Sequence, residues 1–307
     1  MDSIRNVIIF KRFLVGDKMK YLKLIRVKHW FKNILVFLPL FFSRNLFHRV
    51  LFLNCLIGFL AFSFISSIVY VINDLCDIEK DKLHPIKKNR PLASGDISKK
   101  CAIFLIILLS LCFGIITICL YSYCKNVFVF IIPFIYIILN ILYSFGLKNV
   151  PILDVVILVS GFFLRVVYGG VIIDTSVSKF LYLMVIFGSY YLGLGKRRNE
   201  IIKNGNKSRK VLSYYTKEFL DKNMYVAFSL TMVSYILWSV EPSTIARIGS
   251  NYLYVTIPMI MVIFQVYSLN IENDSHGDPI EVLLSSKVLI GLIIGYVISM
   301  CAILYFL

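Results

Sequence analysis

The chain has 307 residues, of which 59% are hydrophobic and 16% charged, with a mean hydropathy of +0.80 and a formal net charge of +16. That composition excludes an ordinary soluble domain. No groove-reading motif accompanies the positive charge, so no nucleic-acid partner is expected, and the seven cysteines lack CxxC or zinc-finger spacing and give no disulfide framework.

In chain order, residues 1–32 carry nine Lys/Arg and lack a compact apolar core followed by small residues, so no cleavable signal is expected. This basic segment is expected along the cytoplasmic membrane face. Apolar stretches then follow near 34–43, 50–72, 101–123, 127–145, 152–172, 179–195, 223–240, 252–269 and 287–307, each long enough, or nearly so, to cross ~30 Å of hydrocarbon as a helix. The first is short and open to a re-entrant reading or to extension back through Trp30 and Phe31. The predicted fold class is therefore all-α: a polytopic membrane helical bundle of about nine transmembrane helices. With the amino terminus inside, 27 of the 33 Lys/Arg fall in the amino-terminal segment, in 76–100, 146–151 and 196–222, and in 270–287. This is the asymmetry the positive-inside rule requires. One membrane domain is expected.

The first inside connection is also the most acidic. In "VINDLCDIEKDKLHPIKKNRPLASG" (71–95), Asn73, Asp74, Asp77 and Asp81 follow at spacings of three and four, which stacks them along one side of a helix. Carboxylates gathered at a membrane boundary repel one another unless a cation compensates. All-oxygen ligands suit Mg²⁺, which takes one or two carboxylates and completes its shell with water and substrate phosphates. Pro85 is expected to stop the helix, leaving a loop from which Lys87 and Arg90, with Ser94 and Gly95, can approach phosphate oxygens. Lys80, Lys82 and Lys88 read as topological charges, Glu79 as solvated, and His84 as a capping or hydrogen-bonding residue.

"NDLCDIEKD" resembles the NDxxDxxxD signature of the UbiA superfamily of intramembrane prenyltransferases, and the longer run through "HPIKKNRPLASG" resembles its decaprenyl-phosphate phosphoribosyltransferase branch. Four further segments resemble that branch. "IRVKHWFKNILVFLPL" (25–40) carries Trp30 as an interfacial anchor, with Lys28, Lys32 and Asn33 as candidates for lipid-phosphate contact. "YSFGLKNVPILDVVILVSGFFLRVVYGG" (143–170) places Asp154 and Arg165 eleven residues apart on one helical face. There the resemblance implies that Tyr143 and Lys148 contact the ribosyl donor. "LGLGKRRNE" (192–200) brings Lys196, Arg197, Arg198 and Glu200, where UbiA enzymes that use prenyl diphosphates usually carry a second paired-aspartate motif. "GDPIEVLLSSKVL" (277–289) precedes the last span. The resemblance runs from about residue 25 to 290 and leaves a basic segment, 1–24, outside a single UbiA-like domain, 25–307.

The resemblance implies transfer of the 5-phosphoribosyl group from phosphoribosyl pyrophosphate to a polyprenyl phosphate, with Mg²⁺ as cofactor, at the cytoplasmic face of the cell's inner membrane. The expected metal set is Asn73, Asp74, Asp77 and Asp81, the aspartates and Asp154 forming the catalytic group. Lys32, Asn33, Lys87, Arg90, Tyr143, Lys148, Arg165, Lys196 and Arg197 are the expected substrate contacts. Asp154 is open to binding ribose hydroxyls or to stabilising the cationic centre, and Arg165 to serving function or pairing a carboxylate. The rival reading within the fold is prenyl transfer from a prenyl diphosphate to an aromatic or glyceryl acceptor. A transporter lined by Asp154 and Arg165 is the rival of another class, yet the acids cluster at one surface rather than through several span centres.

Overall fold

A computed structural model describes residues 19–84, 87–205, 209–272 and 278–307. The basic segment 1–18, the expected helix stop at Pro85, and Gly277 of the fourth matching segment lie outside the described residues. The described residues form helices and no strand. This follows from the composition, because in hydrocarbon a helix satisfies its own backbone donors and acceptors. Eight helices are long: α1 (Arg49–Cys76), α2 (Lys99–Cys124), α3 (Phe128–Phe145), α4 (Leu153–Ile172), α5 (Lys179–Asn204), α6 (Lys217–Val240), α7 (Ile257–Glu272) and α8 (Lys287–Tyr305).

Among the described residues seven helical segments are long and apolar enough to cross a membrane: α1 to α4, α6, α7 with the turn before it, and α8. The chain is an integral membrane protein. The expectation of nine is not reached, for two local reasons. Stretch 34–43 falls partly in a 3-10 helix, Val27–Phe37, and partly in a five-residue α-helix, Leu38–Phe42, which rises only about 7.5 Å. Helix α5 has the length, with 26 residues, but its last turns hold Lys196, Arg197, Arg198 and Glu200 and dilute its apolarity.

The chain divides into two compact units. The first takes residues up to Ile34 and Ile57–Lys125; the second takes Leu35–Leu56 and Asn126–Leu307. In the first, Leu24, Val71, Ile78, Leu92, Ile97 and Ala102 form an apolar core. Beside it the 3-10 segment is tied to α1 by polar side chains. Trp30 Nε1 donates to Ser67 Oγ at 3.0 Å, and Asn33 Nδ2 donates to Ser63 Oγ at 2.9 Å and Ser66 Oγ at 3.4 Å. Ser63 and Ser66 in turn donate to the carbonyls of Phe59 and Phe62 at 2.7 and 2.5 Å, so each accepts from one helix while donating to its own. Such intramembrane hydrogen bonds contribute about 0.6–2 kcal/mol apiece.

In the second unit α5 runs along α6 with α4 on its other side, α3 packs on α4, and α7 packs on α8. Tyr191, Leu194, Leu220, Met224 and Ile271 belong to one core cluster; Phe42, Trp238, Met300 and Leu304 belong to another. Phe42 meets Trp238 edge-on, with ring centroids 5.1 Å apart. Gly169 of α4 allows the closest approach, because a Cβ there would fall on the Val36 carbonyl oxygen.

Candidate active site

The acid-rich turn is built on the end of α1. That helix carries Asn73 and Asp74 in its last turn and ends at Cys76; Asp77 (φ −101°, ψ 8°) then opens a short helix, Ile78–Lys82. The backbone stays nearly continuous: Asp77 N–H donates to the Asn73 carbonyl at 3.0 Å and Asp81 N–H to the Asp77 carbonyl at 2.8 Å. The helical register of the acids thus carries across a break in the helix.

What lies against those acids was not expected. Asp74, 3% exposed, accepts at Oδ1 from Arg26 Nη2 at 2.6 Å and from Arg90 Nη1 at 3.0 Å. The same Arg90 nitrogen donates to Asp81 Oδ2 at 2.6 Å. Arg26 also lies over the Tyr70 ring, 4.7 Å from its centroid. Two carboxylates and two guanidiniums therefore form a charge-balanced, largely buried set, and Arg90 is engaged by protein carboxylates rather than held out as a bare phosphate clamp. Asp77 keeps some solvent contact, at 16% exposure, with the exposed Lys80 ammonium 3.9 Å away. Among the described residues no three His, Cys, Asp or Glu side chains are grouped as a metal cage. The donor set still fits Mg²⁺ of the shared kind, which draws on few protein oxygens and takes the rest of its shell from substrate and water. His84 Nδ1 accepts from Lys87 N–H at 3.3 Å, a local turn role. The 3-10 turn Lys87–Asn89 carries Lys87 up to Arg90.

The second unit holds another ionic network. Asp154, in the first turn of α4, is fully buried, and both its oxygens are taken: Oδ1 by the Tyr215 hydroxyl at 2.6 Å and Oδ2 by Arg197 Nε at 2.6 Å. Arg197, 1% exposed at its side chain, spreads its other nitrogens to Glu200 Oε2 at 2.7 Å and to the Tyr143 hydroxyl at 3.2 Å. Arg209 Nη1 donates to the same hydroxyl at 3.4 Å. Tyr215 also accepts from Ile152 N–H at 2.6 Å, where Ile152 (φ 70°) turns the chain into α4.

Burial drives the Glu200 carboxyl up, but Arg197, Arg209 and Lys196 outweigh it and hold the group below the usual carboxylate range. Burial and the bond to Asp154 push the Tyr215 phenol well above its ordinary value, so it remains the donor. Losing Arg197 would strand the buried Asp154 carboxylate, which is the costly way to break such a network.

The remaining expected residues are scattered among other tasks. Asp154 and Arg197, expected to touch substrate, are enclosed, and both act on neighbouring side chains. Asn33 is wholly buried against the α1 serines. Arg165 lies three turns from Asp154, donates to the Gly161 carbonyl at 2.5 Å and the Tyr136 hydroxyl at 3.3 Å, and stacks over the Tyr136 ring. Lys196 Nζ lies 3.1 Å from Asp278 Oδ2, while Asp278 Oδ1 caps the helix Pro279–Ser285. Lys32 and Lys148 are partly exposed, Lys148 on the 3-10 turn before α4. Sequence reasoning missed Arg26, Arg209 and Tyr215 altogether and gave Glu200 no role. Each lies in a basic or aromatic flank that topology alone explains.

A charge-balanced acid cluster closing one helix, in an all-helical membrane protein, narrows the comparison. The sequence profile of the UbiA prenyltransferase family matches residues 34–302. The chain belongs to that family. The decaprenyl-phosphate phosphoribosyltransferase of Corynebacterium glutamicum is 32% identical over 291 residues, 92% of this chain and 86% of that protein. The protein of the same name from Mycolicibacterium smegmatis is 30% identical, covering 93% and 92%. Among solved structures, a UbiA homolog from Archaeoglobus fulgidus bound to GPP and Mg²⁺ superposes with a TM-score of 0.64 over 92% of this chain and 99% of that one. At 22% identity it speaks for the fold alone. The chain is accordingly a membrane-embedded transferase with the UbiA fold.

Proposed function

We propose that this enzyme transfers the 5-phosphoribosyl group from phosphoribosyl pyrophosphate to a polyprenyl phosphate, at the cytoplasmic face of the inner membrane. Relatedness over more than nine-tenths of the chain to two enzymes named for phosphoribosyl transfer carries the reading. The site chemistry agrees with it. The C1–O bond to pyrophosphate breaks, a phosphate oxygen of the lipid forms the new bond to C1, and pyrophosphate departs. That nucleophile is already ionised at neutral pH, so no proton-relay triad is needed.

Asn73, Asp74, Asp77 and Asp81 would hold Mg²⁺, which supplies charge neutralisation for the leaving diphosphate. Arg26 and Arg90 orient Asp74 and Asp81 through their ion pairs, and with Lys87 they place cationic charge beside the same turn. Fixed cations there stabilise a departing anion more than the bound ground state. In the second unit Asp154 is a positioning residue. It fixes Arg197, and Arg197 with Arg209 occupies the acceptor side of the Tyr143 hydroxyl, leaving its proton to donate to a substrate oxygen. Lys32, Lys148 and Lys196 are further cationic groups assigned to the phosphorylated substrates.

The second reading, prenyl transfer from a prenyl diphosphate, is favoured by the match to the UbiA prenyltransferase family. Purified protein incubated with Mg²⁺, labelled phosphoribosyl pyrophosphate and a polyprenyl phosphate is expected to yield a labelled phosphoribosyl lipid. Prenyl transfer from geranyl diphosphate to an aromatic or glyceryl acceptor, with no labelled lipid, would overturn the proposal.

A further inference from the structure

The second unit also contains an open cavity of ≈ 440 Å³ between α5, α6 and α7. Its three helices contribute in register. Tyr191 and Arg198 are seven residues apart on α5, Asp221 and Phe228 seven apart on α6, and Phe264 and Glu272 eight apart on α7. Each helix thus gives the cavity an aromatic ring and, two turns or about 10–12 Å away, one charged group, and α6 adds a second ring, Tyr225, one turn from Asp221. The other rings meet at one end: Tyr191 lies 5.2 Å from Phe264 and Phe228 lies 5.3 Å from Phe264, centroid to centroid. The charges meet at the other. Arg198 Nε donates to Asp221 Oδ1 at 2.5 Å, and Arg198 Nη2 lies 3.8 Å from Glu272 Oε1.

That charged end sits where α6 begins and α7 ends, so it belongs at headgroup depth, while the rings lie within the apolar length of the same helices. A cavity polar at the interface and aromatic two turns inward has the profile of an amphiphile. The charge count selects its head. Arg198 and Asp221 neutralise each other, and Glu272, with its side chain 55% exposed, leaves one surplus negative charge.

We infer that this cavity binds a membrane lipid with an ammonium headgroup, of the phosphatidylethanolamine class, its ammonium against Glu272 and Asp221 and an acyl chain against Tyr191, Phe228 and Phe264. A lipid whose head is only a phosphate would bring like charge to Glu272, so this site is distinct in chemistry from any that holds a polyprenyl phosphate. The inference stands whichever group the enzyme transfers.

Native mass spectrometry of the purified full-length protein, titrated with phosphatidylethanolamine and with phosphatidylglycerol of the same acyl chains, tests it. The wild type is expected to retain the ethanolamine lipid about two- to fivefold more strongly, the range of a partly exposed ion pair. Glu272→Gln is expected to level the two lipids, and Glu272→Lys to reverse the order. Gln265→Trp, which adds bulk to the lining from an exposed position, should lower binding of the ethanolamine lipid while leaving the charged end untouched. Equal binding of the two lipids by the wild type, an unchanged preference in Glu272→Gln, or undiminished binding in Gln265→Trp would each overturn the inference.

Discussion

Asp77 differs from its two neighbouring aspartates in a way that counts for chemistry: Asp74 and Asp81 are bonded to arginines, while Asp77 retains solvent contact at the break between two helices. Asp77→Asn keeps the shape and removes the charge. Phosphoribosyl transfer is expected to fall by about 100-fold or more, the scale of losing one charged group that acts on a leaving anion, while size-exclusion elution and the thermal-unfolding midpoint stay near wild type. Full activity in the labelled-lipid assay would remove Asp77 from the site. Arg26 is a different case, because its removal leaves Asp74 with Arg90 alone. Arg26→Ala should cost about 1–3 kcal/mol of stability, read as a lower unfolding midpoint. The double variant Arg26→Ala/Asp74→Ala should lose less than the two single losses combined, which is the mark of a direct pair. Strict additivity would show that the two side chains do not interact.

At the scale of elements, most of the architecture was written in the apolar runs, since a stretch that must cross lipid has few options besides a helix. The sequence reading therefore placed α1 to α8 well and located the acids at the end of α1. It failed where polar side chains, not apolar ones, decide the path. Val27–Phe37 becomes a 3-10 segment tied to the α1 serines by Trp30 and Asn33, contacts spanning 30 to 37 residues of sequence. Arg26 meets Asp74 across 48 residues, and Tyr215 meets Asp154 across 61; no local spacing announces such pairs. Asp154 and Arg197 were legible as candidates, but their complete enclosure was not. Close packing gives a test of its own. Gly169→Ala puts a methyl group against the Val36 backbone, and should lower the unfolding midpoint by the equivalent of about 1–3 kcal/mol. Gly114→Ala on α2, where a Cβ meets nothing within 4 Å, should be neutral or slightly stabilising. Equal effects from the two would mean that the α4 approach is not tight.

For the whole molecule, the distribution of Lys and Arg makes a directional statement: the acid-rich turn, the 146–151 turn and the connection after α5 are all expected on the inner side. A Ser213→Cys variant on a cysteine-free background places a thiol at an exposed position of that last connection. A membrane-impermeant maleimide is expected to label it only after cells are opened; labelling of intact cells would invert the topology and move the site to the other face. The arginines beside Asp74 and Asp81 also set the terms on which ligands arrive. With two positive and two negative groups already cancelling, a divalent cation entering by itself would burden the turn with excess positive charge. A cation escorted by an anionic diphosphate brings no such excess, so under the proposed function this turn is expected to take the two visitors as a couple more readily than either one alone.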